Sequence, residues 1–335
     1  MSNEVPGRRP TRVVRITRFV ITLLVILLLM VCASEATETP GTAGTVEPPR
    51  ATDTTKALGP VNTPQTVGAV DTTEPPKPPG PEPTFPFDEY VLTYLEYKPG
   101  TVMEIMQTQA TGPAPCVMIL HGYRVETTFY FPLAQAVAGR DAVVFMPDWN
   151  DTLPSDDDPR TTTVTDGLDD IADAIRFIRL YAGRYGADAE RIVVVGHSLG
   201  AVVGMTTMLA GDQFGTEAFP REVSALPDAY VSLDGVVPFR ELLWDADLRR
   251  LYDEDPGTWG KINPDTYLRA AGARAGVEFR FFVATLDFAE TQSMAERMSE
   301  LGYKTSVERI DVDHMQAAEP QPETVEAIAE LAHAR

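Results

Sequence analysis

Residues 195–201 read Val-Gly-His-Ser-Leu-Gly-Ala and contain the pattern Gly-x-Ser-x-Gly. The pattern follows the apolar run at residues 191–195 and opens a segment rich in Ala, Val and Met, so it falls where a strand turns sharply into a helix. Such a turn lifts the hydroxyl of Ser198 above the sheet, and Gly196 and Gly200 leave room for backbone that passes close by. The N-terminus of the following helix adds a positive dipole end beside the serine. The stretch therefore predicts a nucleophilic serine.

On both sides of this turn, short apolar runs alternate with segments of helical periodicity. Short strands that are covered on both faces and separated by helices are typical of a mostly parallel α/β sheet. The predicted strands are 91–97, 102–107, 116–120, 142–146, 191–195, 230–233, 279–284 and 305–312, and the predicted helices include 171–181, 291–301 and 322–333. The sequence therefore predicts an α/β fold with a central sheet of about eight strands and helices on both faces.

Two features modify this regular alternation. The Pro99-Gly100 turn joins the first two predicted strands, which indicates an antiparallel edge. About residues 238–277 form a small insert between the sixth and seventh predicted strands. The insert is expected to cover part of the site around Ser198.

Residues 87–335 resemble the esterase and lipase branch of the α/β-hydrolase family, which includes small carboxylesterases and dienelactone-hydrolase-like enzymes. The resemblance rests on the Gly-x-Ser-x-Gly stretch and on His121-Gly122-Tyr123, which follows the predicted strand at 116–120. It implies an α/β-hydrolase fold and an oxyanion hole formed by the backbone N–H groups of Tyr123 and Leu199. The longer Gly-Gly-Gly form of this loop, found in some esterases, is absent here. The implied reaction is hydrolysis of carboxylic esters through an acyl-enzyme, with no cofactor and no metal.

A general base for Ser198 must be one of the four histidines of the chain. The resemblance assigns His121 to the oxyanion loop, His197 is expected to point away from the serine, and His333 lies near the C-terminus. His314 remains, directly after the last predicted strand, where the family places its catalytic histidine. His314 is the predicted general base.

Two aspartates compete for the third position of the triad. Asp287 follows the predicted strand at 279–284, where the acid of the family usually falls, and it is the preferred candidate. Asp234 follows the preceding strand and is the alternative, because some lipases take their acid from there. A buried carboxylate at either position would orient the imidazole of His314.

The substrate is predicted to be a small-molecule ester, with Trp149 and Trp244 in loops near the site as candidates for contacting its apolar part. One alternative function is a lipase or polyester hydrolase that acts at an interface. Another is a catalytically silent binding module on the same fold.

The N-terminus predicts export. Five arginines precede the uncharged, largely apolar stretch 19–33, which as a helix would span only about 22 Å, less than the roughly 30 Å of a bilayer core. Residues 1–36 therefore indicate a signal peptide, with a retained membrane anchor as an alternative. A third option is lipidation at Cys32, because residues 29–32 resemble a bacterial lipobox apart from Val31.

Composition divides and bounds the rest of the chain. Residues 37–86 are rich in Pro and Thr and predict a disordered linker, which leaves 87–335 as the catalytic domain. The formal net charge of −21 argues against a nucleic-acid partner, since phosphate binding needs clustered Lys and Arg. The predicted location is secreted or anchored to the outer face of the cell membrane.

Overall fold

One mixed sheet organises the residues that the structure describes. This computed structural model describes residues 84–86, 89–108, 112–151, 164–235, 256–269, 271, 276–286 and 288–334. Its strands are β1 (Thr84–Pro86), β2 (Tyr90–Lys98), β3 (Thr101–Thr108), β4 (Ala114–Leu120), β5 (Val143–Pro147), β6 (Ala187–His197), β7 (Ala229–Leu233), β8 (Glu278–Val283) and β9 (Lys304–Arg309). Within the described residues, these nine strands lie in the order β1-β2-β3-β5-β4-β6-β7-β8-β9.

The sheet has an antiparallel edge and a parallel body. The pairs β1–β2, β2–β3 and β3–β5 are antiparallel, whereas every other neighbouring pair is parallel. The tight connection between β2 and β3 confirms the antiparallel edge predicted from Pro99-Gly100. The short strand β1 was not predicted, and it starts the sheet before the predicted domain boundary at residue 87.

Helices cover both faces of the sheet, as the sequence predicts. They are α1 (Phe131–Ala138), α2 (Val164–Tyr181), α3 (Leu199–Ala210), α4 (Pro256–Ile262), α5 (Phe288–Glu300) and α6 (Pro322–His333). Side chains of α2 to α5 share one buried cluster, and those of α1 and α6 share the other. Successive residues of β4 alternate between them: Cys116 and Met118 belong to the first cluster, Val117 and Ile119 to the second. The apolar runs are therefore strands buried on both faces, and Cys116 is a buried free thiol.

The predicted insert lies between β7 and β8. It contains α4 and a 3₁₀ turn at Pro264–Tyr267. Trp259 of α4 is buried, and the hydroxyl of Thr206 in α3 donates to the carbonyl oxygen of Ile262 at 2.7 Å. The insert is thus fastened to the helix that follows Ser198. Because β1 adds a strand, the insert follows the seventh strand of the sheet and not the sixth.

Several predictions concern residues outside the described part of the chain. The signal or anchor at 1–36, residues 37–83 of the linker, and Trp244 belong to this group. Among the described residues, no helix combines the length and the apolar character needed to cross a membrane.

The strand register brings three chain segments to one edge of the sheet. Leu120 at the end of β4 is level with Gly196 of β6, and His197 is level with Leu233 of β7. Leu233 is in turn level with Phe282 of β8. Because parallel strands end at the same edge, the residues that follow β4, β6 and β7 become neighbours.

Candidate active site

Ser198 occupies the turn between β6 and α3 in a strained backbone conformation. Its φ is 54° and its ψ is −123°, a region that residues with a side chain rarely adopt. A Cβ on Gly196 would lie 2.6 Å from Gly200 O, and one on Gly200 would lie 2.3 Å from the His121 carbonyl oxygen. Both glycines are therefore required by close backbone approach, as the sequence predicts.

His314 lies within hydrogen-bond distance of Ser198. Its Nε2 is 3.0 Å from Ser198 Oγ, and its side chain is 34% exposed. The pairing of these two residues, predicted from the motif and from the histidines available, agrees with the structure. When Nε2 is unprotonated, it can accept the proton of the serine hydroxyl.

Of the two aspartates considered for the third position of the triad, Asp234 is the one that the structure places against His314. Asp234 Oδ2 lies 2.7 Å from His314 Nδ1, so the one N–H that this nitrogen can carry points at Asp234. Asp287 itself lies outside the described residues. The physical reason is the register: Asp234 directly follows Leu233, whose carbonyl oxygen accepts the N–H of Ser198 at 3.2 Å.

Asp234 is held as a buried carboxylate by several donors. Oδ1 accepts the N–H of Ala284 at 2.8 Å and that of Thr285 at 3.2 Å, and Oδ2 accepts the Thr285 hydroxyl at 2.8 Å. Burial by itself raises the pKa of Asp234, but the hydrogen bonds from His314, Ala284 and Thr285 outweigh it, and the pKa lies below its ordinary value. The group therefore stays charged and can stabilise a protonated His314.

The predicted oxyanion residues lie on the two sides of Ser198. Leu199 is the first residue of α3, where a backbone N–H has no acceptor within its own helix. On the other side, a Cβ on Gly122 would lie 3.2 Å from Ser198 Cβ, so the loop that carries Tyr123 runs beside the serine. The assignment of both N–H groups to an oxyanion hole stays a prediction.

Trp149 is buried against the loop that begins with His121. Its side chain is 2% exposed and stacks on the ring of His121 at 5.0 Å between centroids. The loop after β5 folds inward because the N–H of Asn150 donates to Asp170 of α2 at 3.0 Å. Trp149 therefore supports the His121-Gly122 turn, and its contact with the substrate stays a prediction.

Two residues make contacts in the site that the sequence did not predict. The Tyr130 hydroxyl lies 2.8 Å from His197 Nδ1, and His197 Nε2 lies 2.8 Å from the carbonyl oxygen of His314. His197 does not contact the serine hydroxyl, as expected, but it binds the main chain of the general base. The sequence signal for this role was His197 itself, a bulky polar residue at the first variable position of Gly-x-Ser-x-Gly.

Among the described residues, no cluster of three or more His, Cys, Asp or Glu side chains could hold a metal ion.

A buried glutamate of β3 lies within hydrogen-bond distance of the Thr127 side chain. Glu104 of β3 is 6% exposed and is level with Met146 of β5. Burial raises its pKa from 4.5 to about 7. Repulsion from Asp148 and Glu126 also raises this pKa, whereas a hydrogen bond from Thr127 lowers it. Glu104 therefore changes its charge near neutral pH.

Replacing Glu104 with glutamine is expected to stabilise the protein at alkaline pH. The unfolded chain releases this proton above about pH 4.5 and the folded protein only near pH 7, so stability present below pH 4.5 is lost as the pH rises through 7. Glu104→Gln removes this loss, which amounts to about 3 kcal/mol at pH 8. Urea unfolding between pH 4.5 and 8 measures the difference from wild type. Glu308→Gln on the exposed edge strand is the control, and a difference that is the same at all pH values would contradict the prediction.

The chain is similar to a known family and to proteins of known structure. The sequence model of the family described as "Alpha/beta hydrolase family" matches residues 117–328, more than half of the chain. No curated protein sequence matches the chain at a significant level.

The similar structures include several of one esterase, Est2 of the planctomycete Thermogutta terrifontis. Its propionate-bound form is 19% identical with a TM-score of 0.58, and the match covers 71% of this chain and 92% of that chain. The form phosphonylated by sarin is 19% identical with a TM-score of 0.58, covering 70% and 91%. The form phosphorylated by paraoxon is 17% identical with a TM-score of 0.56, also covering 70% and 91%. At this level of identity the likeness concerns the fold.

Proposed function

This chain belongs to the alpha/beta hydrolase family, and on that premise we propose that it is a serine hydrolase that cleaves carboxylic esters. The observation that carries the proposal is the pair of contacts from Asp234 to His314 at 2.7 Å and from His314 to Ser198 at 3.0 Å. Acyl transfer to water needs a nucleophile in contact with a base that is itself in contact with an acid, and these three residues have that arrangement.

The reaction follows from the roles of these three side chains. His314 Nε2 removes the hydroxyl proton while Ser198 Oγ attacks the ester carbonyl carbon, and Asp234 stabilises the resulting imidazolium. The predicted donors for the oxyanion are the backbone N–H groups of Tyr123 and Leu199. The imidazolium then protonates the leaving alcohol, and the same histidine activates the water that hydrolyses the acyl-enzyme.

The structural neighbours support this class of chemistry. Est2 is named an esterase, and its structures include a propionate-bound form and a form phosphonylated by sarin. Organophosphates are electrophiles that react with an activated nucleophile such as a catalytic serine. A small carboxylic ester is accordingly the substrate class that we propose for this chain.

An interfacial lipase or polyester hydrolase is the second candidate, and one observation favours it. Among the described residues, the exposed large apolar side chains are Phe129 and Met315, at 38% and 40% exposure. Phe129 precedes Tyr130, and Met315 directly follows His314, so both lie close to site residues. A silent binding module is disfavoured, because the contacts of Ser198, His314 and Asp234 are all in place.

We also propose that the protein is exported. The support is the basic segment and the apolar stretch within residues 1–36. The mass of the mature protein recovered from the producing cells distinguishes the three options, because cleavage shortens the chain, lipidation at Cys32 adds acyl groups, and a retained anchor leaves the chain intact.

The test of the proposed function uses purified full-length protein. We expect hydrolysis of p-nitrophenyl esters, and a fluorophosphonate probe is expected to form one adduct that mass spectrometry locates on Ser198. Comparing soluble short esters with emulsified triacylglycerols separates the esterase from the interfacial enzyme. A folded protein that neither hydrolyses esters nor takes up the probe would overturn the proposal.

A further inference from the structure

His197, which lies between Gly196 and Ser198 in the chain, connects two loops of the candidate active site. Its side chain is 1% exposed, and its ring centroid lies 4.9 Å from that of His314. Both ring nitrogens have partners, because Nδ1 lies 2.8 Å from Tyr130 Oη and Nε2 lies 2.8 Å from the His314 carbonyl oxygen. The turn thus holds His314 twice, by its imidazole through Ser198 and by its main chain through His197.

The partners determine where the protons are. The carbonyl oxygen of His314 can only accept, so His197 Nε2 must carry the proton and donate it. In a neutral imidazole Nδ1 is then an acceptor, and the Tyr130 hydroxyl donates to it. The same hydroxyl oxygen accepts the N–H of Gly122 at 2.7 Å. Donation therefore runs in one direction, from Gly122 through Tyr130 and His197 to the backbone of His314.

The electrostatic environment keeps this chain of hydrogen bonds in one protonation state. Burial, followed by the neighbouring charge of His314, lowers the pKa of His197 to about 4. Burial also raises the pKa of Tyr130, so its hydroxyl keeps the proton that it donates. His197 can therefore stay neutral while His314 takes up and releases a proton.

The loop around His314 is held at both ends in the core, where Ile310, Ala317 and Ala318 are buried. Asp313 and Gln316 close a local turn, in which Gln316 N–H donates to Asp313 Oδ1 at 2.8 Å. Between these ends, Asp311, Asp313, Met315 and Gln316 are exposed, so side-chain packing does not fix the middle of the loop. The bond from His197 to the His314 carbonyl ties the main chain of this middle part to the turn that carries Ser198.

We propose that His197 and Tyr130 are positioning residues that hold the main chain of the general base in register with the oxyanion loop. The inference rests on the proposed function, since it concerns the rate at which Ser198 reacts. Misplacement of a reacting group by about 1 Å can lower a rate by about 10²-fold. Loss of the His197 link should therefore act on kcat more than on KM.

The test compares variants of the full-length protein on one p-nitrophenyl ester. We expect His197→Phe, which removes both nitrogens, to lower kcat by about 10²-fold while KM changes by no more than about threefold. His197→Gln should recover about tenfold of that loss, because its amide N–H can reach the His314 carbonyl. Tyr130→Phe leaves the bond from His197 to the His314 carbonyl in place but removes the donor to His197 Nδ1, and it should lower kcat by about tenfold.

The matched control is Tyr97→Phe. The Tyr97 side chain is also buried, and its hydroxyl donates to the backbone oxygen of Asp170 at 3.0 Å between β2 and α2, with no described contact to Ser198, His314 or Asp234. Tyr97→Phe should lower the free energy of unfolding without changing kcat. In every variant, the rate at which the probe phosphonylates Ser198 should change in parallel with kcat. Urea unfolding checks that each variant is folded, and if His197→Phe is not, His197→Gln and Tyr130→Phe decide.

The outcomes separate this inference from the proposed function. An active wild type whose folded His197 and Tyr130 variants keep full kcat overturns the positioning role alone. Equal kcat for His197→Gln and a folded His197→Phe also overturns it, because the donor to His314 would then be irrelevant. A wild type without esterase activity overturns the proposed function and this inference with it.

Discussion

Replacing Ser198 with alanine is expected to lower kcat for ester hydrolysis by on the order of 10⁶-fold and to abolish labelling by a fluorophosphonate. Without Oγ, His314 has no hydroxyl to activate and no acyl-enzyme can form. The residual rate comes from whatever binding and oxyanion stabilisation remain. Alanine keeps the Cβ of serine, so the strain at φ 54° is the same in both proteins and the fold should be retained.

The measurement is kcat on a short p-nitrophenyl ester for wild type, Ser198→Ala and the control Ser293→Ala. Ser293 is exposed on α5, and its replacement should leave kcat unchanged. Any residual rate of Ser198→Ala that the fluorophosphonate still blocks comes from contaminating wild-type enzyme. A Ser198→Ala protein whose unblocked rate stays within about tenfold of wild type would show that another group is the nucleophile.

The fold could be predicted from the sequence because its signals are local. Every residue of β5 and of β7 is buried, so both strands appear as short apolar runs. The helix predicted at 322–333 is α6 within the same bounds, since Pro322 begins it and its apolar spacing is regular. β1 escaped prediction because three residues that include Pro86 show no periodicity, and only their pairing with β2 makes them a strand.

The site was predictable where its chemistry follows from neighbours in the chain. Ser198 sits in a motif, and His314 remains once the roles of the other histidines are assigned. The acid depends on which strand end lies beside Ser198, and both Asp234 and Asp287 follow a strand in the sequence. Register decides between them, because His197 is level with Leu233 and Asp234 comes next. Trp149 shows the same limit of sequence-based prediction, because it lies in a loop and its side chain is nevertheless buried.

Replacing Asp234 with asparagine is expected to lower kcat by about 10⁴-fold, with a much smaller change in KM. An asparagine amide would donate to His314 Nδ1 and shift the imidazole proton to Nε2, which then cannot accept the proton of Ser198. The variant should still fold, because asparagine Oδ1 can keep accepting the N–H groups of Ala284 and Thr285.

Asp287→Asn is the matched control, because the sequence alone preferred Asp287 as the acid. With Asp234 on His314 Nδ1 at 2.7 Å, we expect Asp287→Asn to keep kcat within about threefold of wild type. Urea unfolding of both variants distinguishes a change of the His314 tautomer from a loss of the fold, because the change of tautomer leaves the free energy of unfolding nearly unchanged. The reverse result, a large loss in Asp287→Asn and none in Asp234→Asn, would mean that His314 turns to Asp287 during turnover. The contacts of Asp234 argue against it, because such a turn would leave a buried carboxylate without its shortest hydrogen bond.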